Sequence, residues 1–276
     1  MAQKDTTDKS KPDTIRIGGM IIIKKDGEHE RRSTTVTIGN KHKNRNSNVS
    51  TADWILDLGF ANWIDKTNYT TATSGQFLVN RPGSPALSAD NFKLRQGKSS
   101  NINIWFFMQR LNLIKHYVNL KYGIGIEMYN YRFKSSAPLT FTESRTNPYN
   151  MTQNINHSLV FRDSITFSKN KLAADYVTIP FMVNLRTNPK NSDKGISVSW
   201  GVSIGYLYSS RNKQVSSDRG KDKNHGDYDL EKWKFSYVGE LGLGSARLYG
   251  SYTPKSIFEN GMNLRPYTVG VRLSNW

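Results

Sequence analysis

The sequence predicts an all-β fold: an eight-stranded antiparallel up-and-down transmembrane β-barrel with short periplasmic turns and long extracellular loops, preceded by a small N-terminal hairpin and tail. Three observations lead to this prediction. Apolar and polar residues alternate with a period of two in eight segments, which is typical of strands whose two faces meet different surroundings. The connections between these segments alternate between long and short. No apolar run is long enough for a membrane-spanning helix.

The composition excludes two broad classes of protein. Hydrophobic residues make up 36% of the 276 residues and the mean hydropathy is -0.62, which excludes a helical membrane protein. Aromatic residues reach 12%, which is too many for a disordered chain and suits a strand-rich fold. The sequence has no cysteine, so disulfides and thiolate metal sites are excluded as well.

The first 48 residues are predicted to be a periplasmic tail, and the barrel is assigned to residues 49–276. A strand-like run at 14–23 is expected to form a loose hairpin with a second run at 33–38, and a basic linker follows at 41–48. No apolar run follows Met1, so the sequence contains no secretory signal. For an exported protein we expect a mature chain from which the signal has been cleaved.

The barrel begins where strict alternation begins. In the third predicted strand, for example, Val118 and Leu120 alternate with Asn119 and Lys121. A helix in water would not tolerate this pattern. The eight predicted strands are residues 54–63, 101–109, 117–133, 174–185, 196–208, 233–243, 246–253 and 265–276.

The lengths of the connections give an independent indication of the fold. Outer-membrane barrels join their strands by short periplasmic turns and longer extracellular loops. In this chain the connections are, in order, long (64–98), short (110–116), long (134–173), short (186–194), long (209–232), very short (244–245) and medium (254–264). This alternation predicts a barrel in the cell outer membrane with both chain ends in the periplasm.

The polar face of the predicted strands carries charged residues of both signs in mid-strand. These residues are Asp57, Lys121, Glu127, Glu240 and Arg272. Because the interior of an eight-stranded barrel is just wide enough to be filled by side chains, we interpret the set as an internal plug of salt bridges. A gated ion path lined by the same charges is the alternative. No nucleophile or cleft accompanies the carboxylates, so no catalytic residue is assigned.

Tyrosine and tryptophan residues occur where the predicted strands leave the hydrocarbon. Their amphipathic rings favour the headgroup region, which predicts an aromatic girdle at each side of the membrane. Core aromatics of a soluble β-sandwich are the alternative. The predicted girdles comprise Trp63, Tyr129, Tyr131, Tyr206, Tyr208, Trp233 and Tyr267 on the extracellular side, and Trp54, Tyr117 and Trp276 on the periplasmic side.

Four runs in the barrel region are distinctive: NIWFFMQRLNL at 103–113, VNLKYG at 118–123, DYVTIP at 175–180 and RPYTVGV at 265–271. Through them the region from about residue 50 to 276 resembles Bacteroidetes outer-membrane β-barrel proteins of the porin or PorT-like type. The resemblance implies the barrel but no particular activity. The terminal Trp276 is similar to the C-terminal signal that barrel-assembly machinery recognises in such proteins, which implies that machinery as a partner during biogenesis.

The distribution of charged residues indicates which partners to expect. The formal net charge is +17, and the cations lie mainly in the N-terminal linker and in mixed-charge loops. We expect the lipid of the outer membrane as a partner, with lipopolysaccharide phosphates attracted to the loops outside, and anionic wall polymers attracted to residues 41–45. Nucleic acid is not expected, because no aromatic stacking platform alternates with the basic residues. The five histidines lack metal-site spacing, so neither a metal nor a cofactor is expected.

These observations favour a structural or interaction role over catalysis. In this hypothesis a barrel with a plugged polar interior anchors the chain, and the loops at 64–98, 134–173 and 209–232 bind a protein partner. A narrow channel or transporter for small solutes is one alternative, and an accessory of protein secretion across the outer membrane, implied by the PorT-like resemblance, is another. We do not expect an enzyme.

Overall fold

The computed structural model describes residues 13–17, 20–25, 33–38, 47–134, 138–189 and 195–274. The chain divides into two compact units, Met1–Ser47 and Asn48–Trp276. The first unit contains β1 (Asp13–Ile17), β2 (Met20–Lys25) and β3 (Ser33–Ile38), which form one antiparallel sheet in the order β1-β2-β3.

The N-terminal sheet differs in one respect from the predicted hairpin. The run 14–23 was expected to be one strand, but Ile17 pairs with Met20, so the run contributes to two strands. The two residues between them in the sequence are both glycine, a composition that favours two-residue hairpin loops. The predicted pairing of this region with residues 33–38 is present between β2 and β3.

The second unit contains sixteen further elements, of which eight are long strands and eight are shorter elements in the connections. They are β4 (Val49–Asp65), α1 (Tyr69–Ser74), β5 (Leu78–Val79), α2 (Ala89–Phe92), β6 (Ser100–Ile114), β7 (Val118–Arg132), β8 (Leu139–Thr142), β9 (Thr146–Asn147), β10 (Asn150–Asn154), β11 (Leu159–Arg162), β12 (Lys169–Arg186), β13 (Ile196–Ser216), β14 (Gly220–His225), β15 (Trp233–Leu243), β16 (Ala246–Tyr252) and β17 (Leu264–Leu273).

Eight of these strands form a closed antiparallel ring. Their order around the ring is β4, β6, β7, β12, β13, β15, β16 and β17, and β17 pairs with β4 to close it. Each strand therefore neighbours the strands before and after it in this order, as in an up-and-down barrel. The predicted eight-stranded barrel is confirmed.

The connections define two different ends of the barrel. At one end of the barrel, which we call the short-turn end, β6 is followed by β7, β12 by β13 and β15 by β16, with only 3, 9 and 2 residues of sequence between them. The long connections lie at the other, the long-loop end. One prediction was wrong in part here: residues 209–232 were expected to be a loop, but β13 continues to Ser216 and pairs with the additional strand β14.

The two faces of the strands have opposite character. On β13 the side chains of Val198, Trp200 and Val202 are 40–49% exposed, whereas those of Ser199 and Ser203 are buried. The apolar face therefore points away from the barrel axis and the polar face lines the interior. This arrangement is the reverse of a soluble barrel and matches a barrel that is surrounded by lipid.

The long loops fold over their end of the barrel as a cap with its own small elements. β5, β11 and β8 form a three-stranded sheet, and β9 pairs with β10. Apolar side chains from these loops join the inward-facing side chains at the strand ends in one buried cluster, which includes Leu87, Phe92, Phe141, Val160, Tyr228, Ile257 and Phe258. Within the described part of the chain, neither helix has the length or apolar character that crossing a membrane would require.

Candidate functional site

Four of the five predicted interior charges meet in one ion network inside the barrel. Arg272 on β17 donates from Nε to Asp57 Oδ1 at 2.7 Å and from Nη2 to Asp57 Oδ2 at 2.8 Å. Its Nη1 donates to Glu240 Oε2 at 2.6 Å, and Lys121 Nζ donates to the same oxygen at 2.7 Å. We call these four residues the lower ion network. It joins side chains from β4, β7, β15 and β17 across the interior.

Neutral and charged neighbours complete the lower ion network. Trp105 Nε1 donates to Asp57 Oδ2 at 2.7 Å and Asn103 Nδ2 donates to it at 3.2 Å. The Arg272 guanidinium also lies 5.6 Å from the centre of the Trp105 ring. Arg247 Nη1 lies 3.6 Å from Glu240 Oε1. The two carboxylates thus have several donors each, as buried charges require.

The fifth predicted charge, Glu127, belongs to a second cluster nearer the long-loop end. It pairs with Lys234 on β15, and Thr178 Oγ1 donates to it at 3.2 Å. Lys234 Nζ also donates to Tyr129 Oη at 2.6 Å and lies 5.0 Å from the centre of the Tyr176 ring. We call Glu127, Lys234 and Tyr129 the upper cluster.

Sequence reasoning missed Lys234 of the upper cluster and Arg247, which neighbours the lower ion network. The signal was present, because the alternation places Lys234 on the same face as Ser236 and Glu240. The six charged side chains of the two clusters are almost completely buried, each residue being at most 7% exposed. A water molecule therefore has little access to them.

Aromatic side chains fill the interior between the upper cluster and the cap. The ring of Tyr131 stacks with that of Tyr129 at 5.8 Å and lies 4.7 Å from that of Trp63, centre to centre. Trp63 Nε1 donates to the carbonyl of Phe92 in α2 at 3.2 Å. These contacts connect the barrel wall to the cap.

Three residues of the predicted aromatic girdle are therefore wrongly assigned. Trp63, Tyr129 and Tyr131 are at most 8% exposed and face inward, because they share the strand alternation of Ala61 and Glu127. Trp54, Tyr117, Tyr206, Tyr208 and Trp233 are 46–66% exposed on the outside, and Tyr267 is half-buried. Trp276 lies outside the described residues. The position of the exposed rings at headgroup depth stays a prediction.

The profile of the outer membrane protein beta-barrel domain family matches residues 67–254, about two thirds of the chain. The chain belongs to this family. It is an outer-membrane protein, and the short-turn end of such a barrel faces the periplasm while the long-loop end is extracellular. A search of the curated proteins gave no match. Among solved structures the chain is similar to Ail, the attachment invasion locus protein of Yersinia pestis, which was solved in complex with the heparin analogue sucrose octasulfate. The two chains are 10% identical and the TM-score is 0.30. The match covers 81% of this chain and 98% of the Ail chain.

The extracellular cap of this outer-membrane barrel is held together by polar contacts between its loops. Arg219, in the turn after β13, donates from Nη1 and Nη2 to the two carboxylate oxygens of Asp163 at 2.9 and 3.2 Å. Thr140 Oγ1 donates to Asp163 Oδ2 at 2.9 Å. Burial by itself raises the pKa of the Asp163 carboxyl, but the hydrogen bonds from Arg219 and Thr140 outweigh it, so the pKa lies below its usual value.

Two further contacts join the loops of the cap. Asp229 accepts hydrogen bonds from Ser158 N at 2.8 Å and from Ser158 Oγ at 3.2 Å. The imidazole of His157 stacks on the Phe77 ring, with the ring centres 3.8 Å apart. The described residues contain no group of three or more metal-ligating side chains.

An open cleft of about 500 Å³ lies at the outer rim of the cap. Its wall includes the basic residues Lys93, Arg95 and Lys134, and the aromatic residues Trp63 and Phe92. Lys93 is paired with Asp90 at 2.6 Å. The cleft offers a concave surface to a ligand at the extracellular end of the barrel.

Proposed function

We propose that this protein is a closed, non-conducting outer-membrane anchor whose extracellular cap binds a protein partner. The observation that carries the proposal is the filling of the barrel interior. The lower ion network, the upper cluster and the aromatic residues Trp63 and Tyr131 follow one another from the middle of the barrel to the cap.

The pairing of the interior charges supports a plug rather than an ion path. Charges that line an ion path exchange contacts with water and with the moving ion. Here each of the carboxylates Asp57, Glu127 and Glu240 is bonded to a cationic side chain and is at most 5% exposed. Moving an ion through this section would require several of these contacts to break together.

The contacts within the cap support the second part of the proposal, that the cap binds a protein partner. Loops that are fixed before binding lose less conformational entropy when a partner binds. The bidentate contact between Arg219 and Asp163 and the contact between Asp229 and Ser158 fix loops that lie far apart in the sequence. The cleft beside Lys93 and Lys134 offers a concave seat in such a surface.

The experiment is a conductance measurement on the full chain in planar bilayers. We expect no steady conductance from the wild type. The double variant Lys121→Ser/Arg272→Ser should show openings, whereas Lys232→Ser/Lys255→Ser, which removes two cations from the cap, should behave as the wild type. Steady conductance of the wild type would overturn the closed anchor and favour the narrow channel or transporter.

The proposal also names the lipid partner of the barrel, the machinery that inserts it and the group of barrels that it resembles. We infer that lipopolysaccharide surrounds the extracellular rim and that barrel-assembly machinery inserts the protein. The PorT-like resemblance to Bacteroidetes barrels supports the hypothesis of a secretion accessory. We propose a non-enzymatic role, since the interior carboxylates are all bonded to cations rather than to a nucleophile.

A further inference from the structure

The outer face of the barrel sheet carries a row of cations beyond its apolar band. Arg132 on β7 lies opposite Lys171 on β12, Lys171 lies opposite Lys213 on β13, and Lys213 lies opposite Lys223 on β14. Four adjacent strands thus place a cation at the same level. With neighbouring strands about 4.8 Å apart, the row is roughly 14 Å wide. We call these four residues the basic row.

The basic row faces outward, on the same side of the sheet as the lipid-facing residues. The residues that alternate with the basic row along β12 and β13, namely Asn170, Asn212 and Gln214, are at most 4% exposed and point toward the cap. One register step farther from the membrane, Lys169 lies opposite Val215, which lies opposite Lys221. Two more cations therefore extend the surface on this face.

The acidic residues near the basic row are engaged elsewhere. Asp175 lies on the same face but pairs with Arg211 at 2.6 Å. Asp222 lies opposite the inward-facing Gln214 and accepts from Lys223 N at 2.8 Å. Of the ion pairs between described residues, none joins a member of the basic row to a carboxylate.

Such a row is unfavourable unless an anion lies against it. Like charges that face each other across a strand pair destabilise a sheet. This repulsion acts on Lys213, which lies outside the membrane-spanning part of β13. The charge of Lys221 is the largest cause that lowers the pKa of the Lys213 amine, followed by burial and then by the charges of Lys169 and Lys223. A polyanion that binds across the row would remove this repulsion.

The height of the basic row above the membrane limits what the anion can be. The apolar band on this side ends at the edge-to-face pair of Tyr206 and Trp233, whose ring centres are 5.0 Å apart. Lys213 lies six ladder steps beyond Tyr206, because Tyr208 is bulged out of the register with β12. A rise of about 3.3 Å per step and a tilt near 40° place Lys213 roughly 15 Å above Tyr206 along the membrane normal. The headgroup layer of a phospholipid is only about 5–8 Å thick, so its phosphate would not reach the row.

We propose that the basic row binds the phosphorylated saccharide of lipopolysaccharide in the outer leaflet. A saccharide headgroup extends far enough from the acyl chains to reach the row, and several phosphates match its width. The inference rests on the outer-membrane placement in the proposed function and is independent of the closed interior. It specifies which residues hold the lipid partner.

The test compares the affinity of the detergent-folded full chain for two probes, phosphorylated lipopolysaccharide and the same material after enzymatic dephosphorylation. The variant Arg132→Gln/Lys171→Gln/Lys213→Gln/Lys223→Gln removes the basic row. The control Lys66→Gln/Lys115→Gln/Lys232→Gln/Lys255→Gln removes the same charge from exposed positions elsewhere. We expect the row variant to bind the phosphorylated probe about a hundredfold more weakly, and the control to bind nearly as the wild type.

Each outcome has a defined meaning. Equal affinity of the wild type for both probes would overturn the proposed site. So would a control variant that loses as much affinity for the phosphorylated probe as the row variant does. Tighter binding of a soluble sulfated polysaccharide than of lipopolysaccharide would replace the lipid as the occupant. If the row variant does not fold, Lys213→Gln/Lys223→Gln alters only the β13–β14 hairpin and still tests the proposal. Bilayer conductance reports on the closed interior separately, so either proposal can fail alone.

Discussion

Arg272 and Asp57 face each other on neighbouring strands of the ring and share two hydrogen bonds of 2.7 and 2.8 Å, while Arg272 also reaches Glu240 at 2.6 Å. Breaking a buried ion pair leaves a charge without compensation. We therefore expect Arg272→Met to lower the free energy of unfolding by about 3–5 kcal/mol, measured by urea unfolding of the detergent-folded barrel.

The control for this prediction is Arg265→Met at the extracellular end of β17, where the side chain contacts Asn263 and is partly exposed. It should change the free energy of unfolding by less than about 0.5 kcal/mol. An Arg272→Met protein as stable as the wild type would show that the two carboxylates are hydrated or protonated, which contradicts a dry plug.

The contact between Asp163 and Arg219 makes the cap sensitive to acid. Because the pKa of Asp163 is lower in the folded state, its contribution to stability is complete above its unfolded pKa of about 3.9 and is lost as the pH falls through the folded value. The protection factors of the amides in residues 138–168, which correct the exchange rates for their intrinsic dependence on pH, should therefore fall severalfold between pH 5 and pH 3. The variant Asp163→Asn should show low protection factors at both pH values, whereas Asp218→Asn should retain the wild-type difference.

The eight ring strands were predictable because one physical cause produces their pattern. Where lipid lies on one side and a polar interior on the other, as at Val198 and Ser199, the side chains must alternate. Beyond the membrane no lipid faces the strands, so the side chains no longer have to alternate. β13 continues through Asn212 and Gln214 with polar residues on both faces, so its extension and β14 carried no signal and were predicted as a loop.

The interior was predictable in composition but not in pairing. Alternation identified Asp57 and Glu127 as inward-facing, yet which cation meets each carboxylate depends on the register between strands that are distant in the sequence. The cap was not predictable for a related reason. Its core joins Leu87, Phe141 and Ile257 from three loops without any periodic spacing, because irregular loops impose none.

The corrected aromatic assignment can be tested by tryptophan fluorescence in lipid that carries bromine on its acyl chains. Trp200 and Trp233 are about half exposed on the outer face, whereas Trp63 and Trp105 are buried in the interior. Bromine quenches only rings that it contacts, so Trp233→Phe should reduce the quenched fraction of the emission. Trp63→Phe should leave the quenched intensity unchanged and remove unquenched emission. If strong quenching disappears in Trp63→Phe, Trp63 contacts lipid and its original assignment to the girdle is correct.

The close approach of β12 and β13 at Gly201 predicts a position that tolerates only glycine. A Cβ atom built there would lie 2.0 Å from the carbonyl oxygen of Phe181 and 2.7 Å from Cα of Met182, so the two strands would have to separate. We expect Gly201→Ala to destabilise the barrel by about 1–3 kcal/mol in urea unfolding. Gly239→Ala on the adjacent strand β15 is the matched control, because its Cβ would meet only the carbonyl oxygen of Ser199, at 3.9 Å. Equal stability of the two variants would mean that the β12–β13 pair can open at this point and that the close approach at Gly201 does not require glycine.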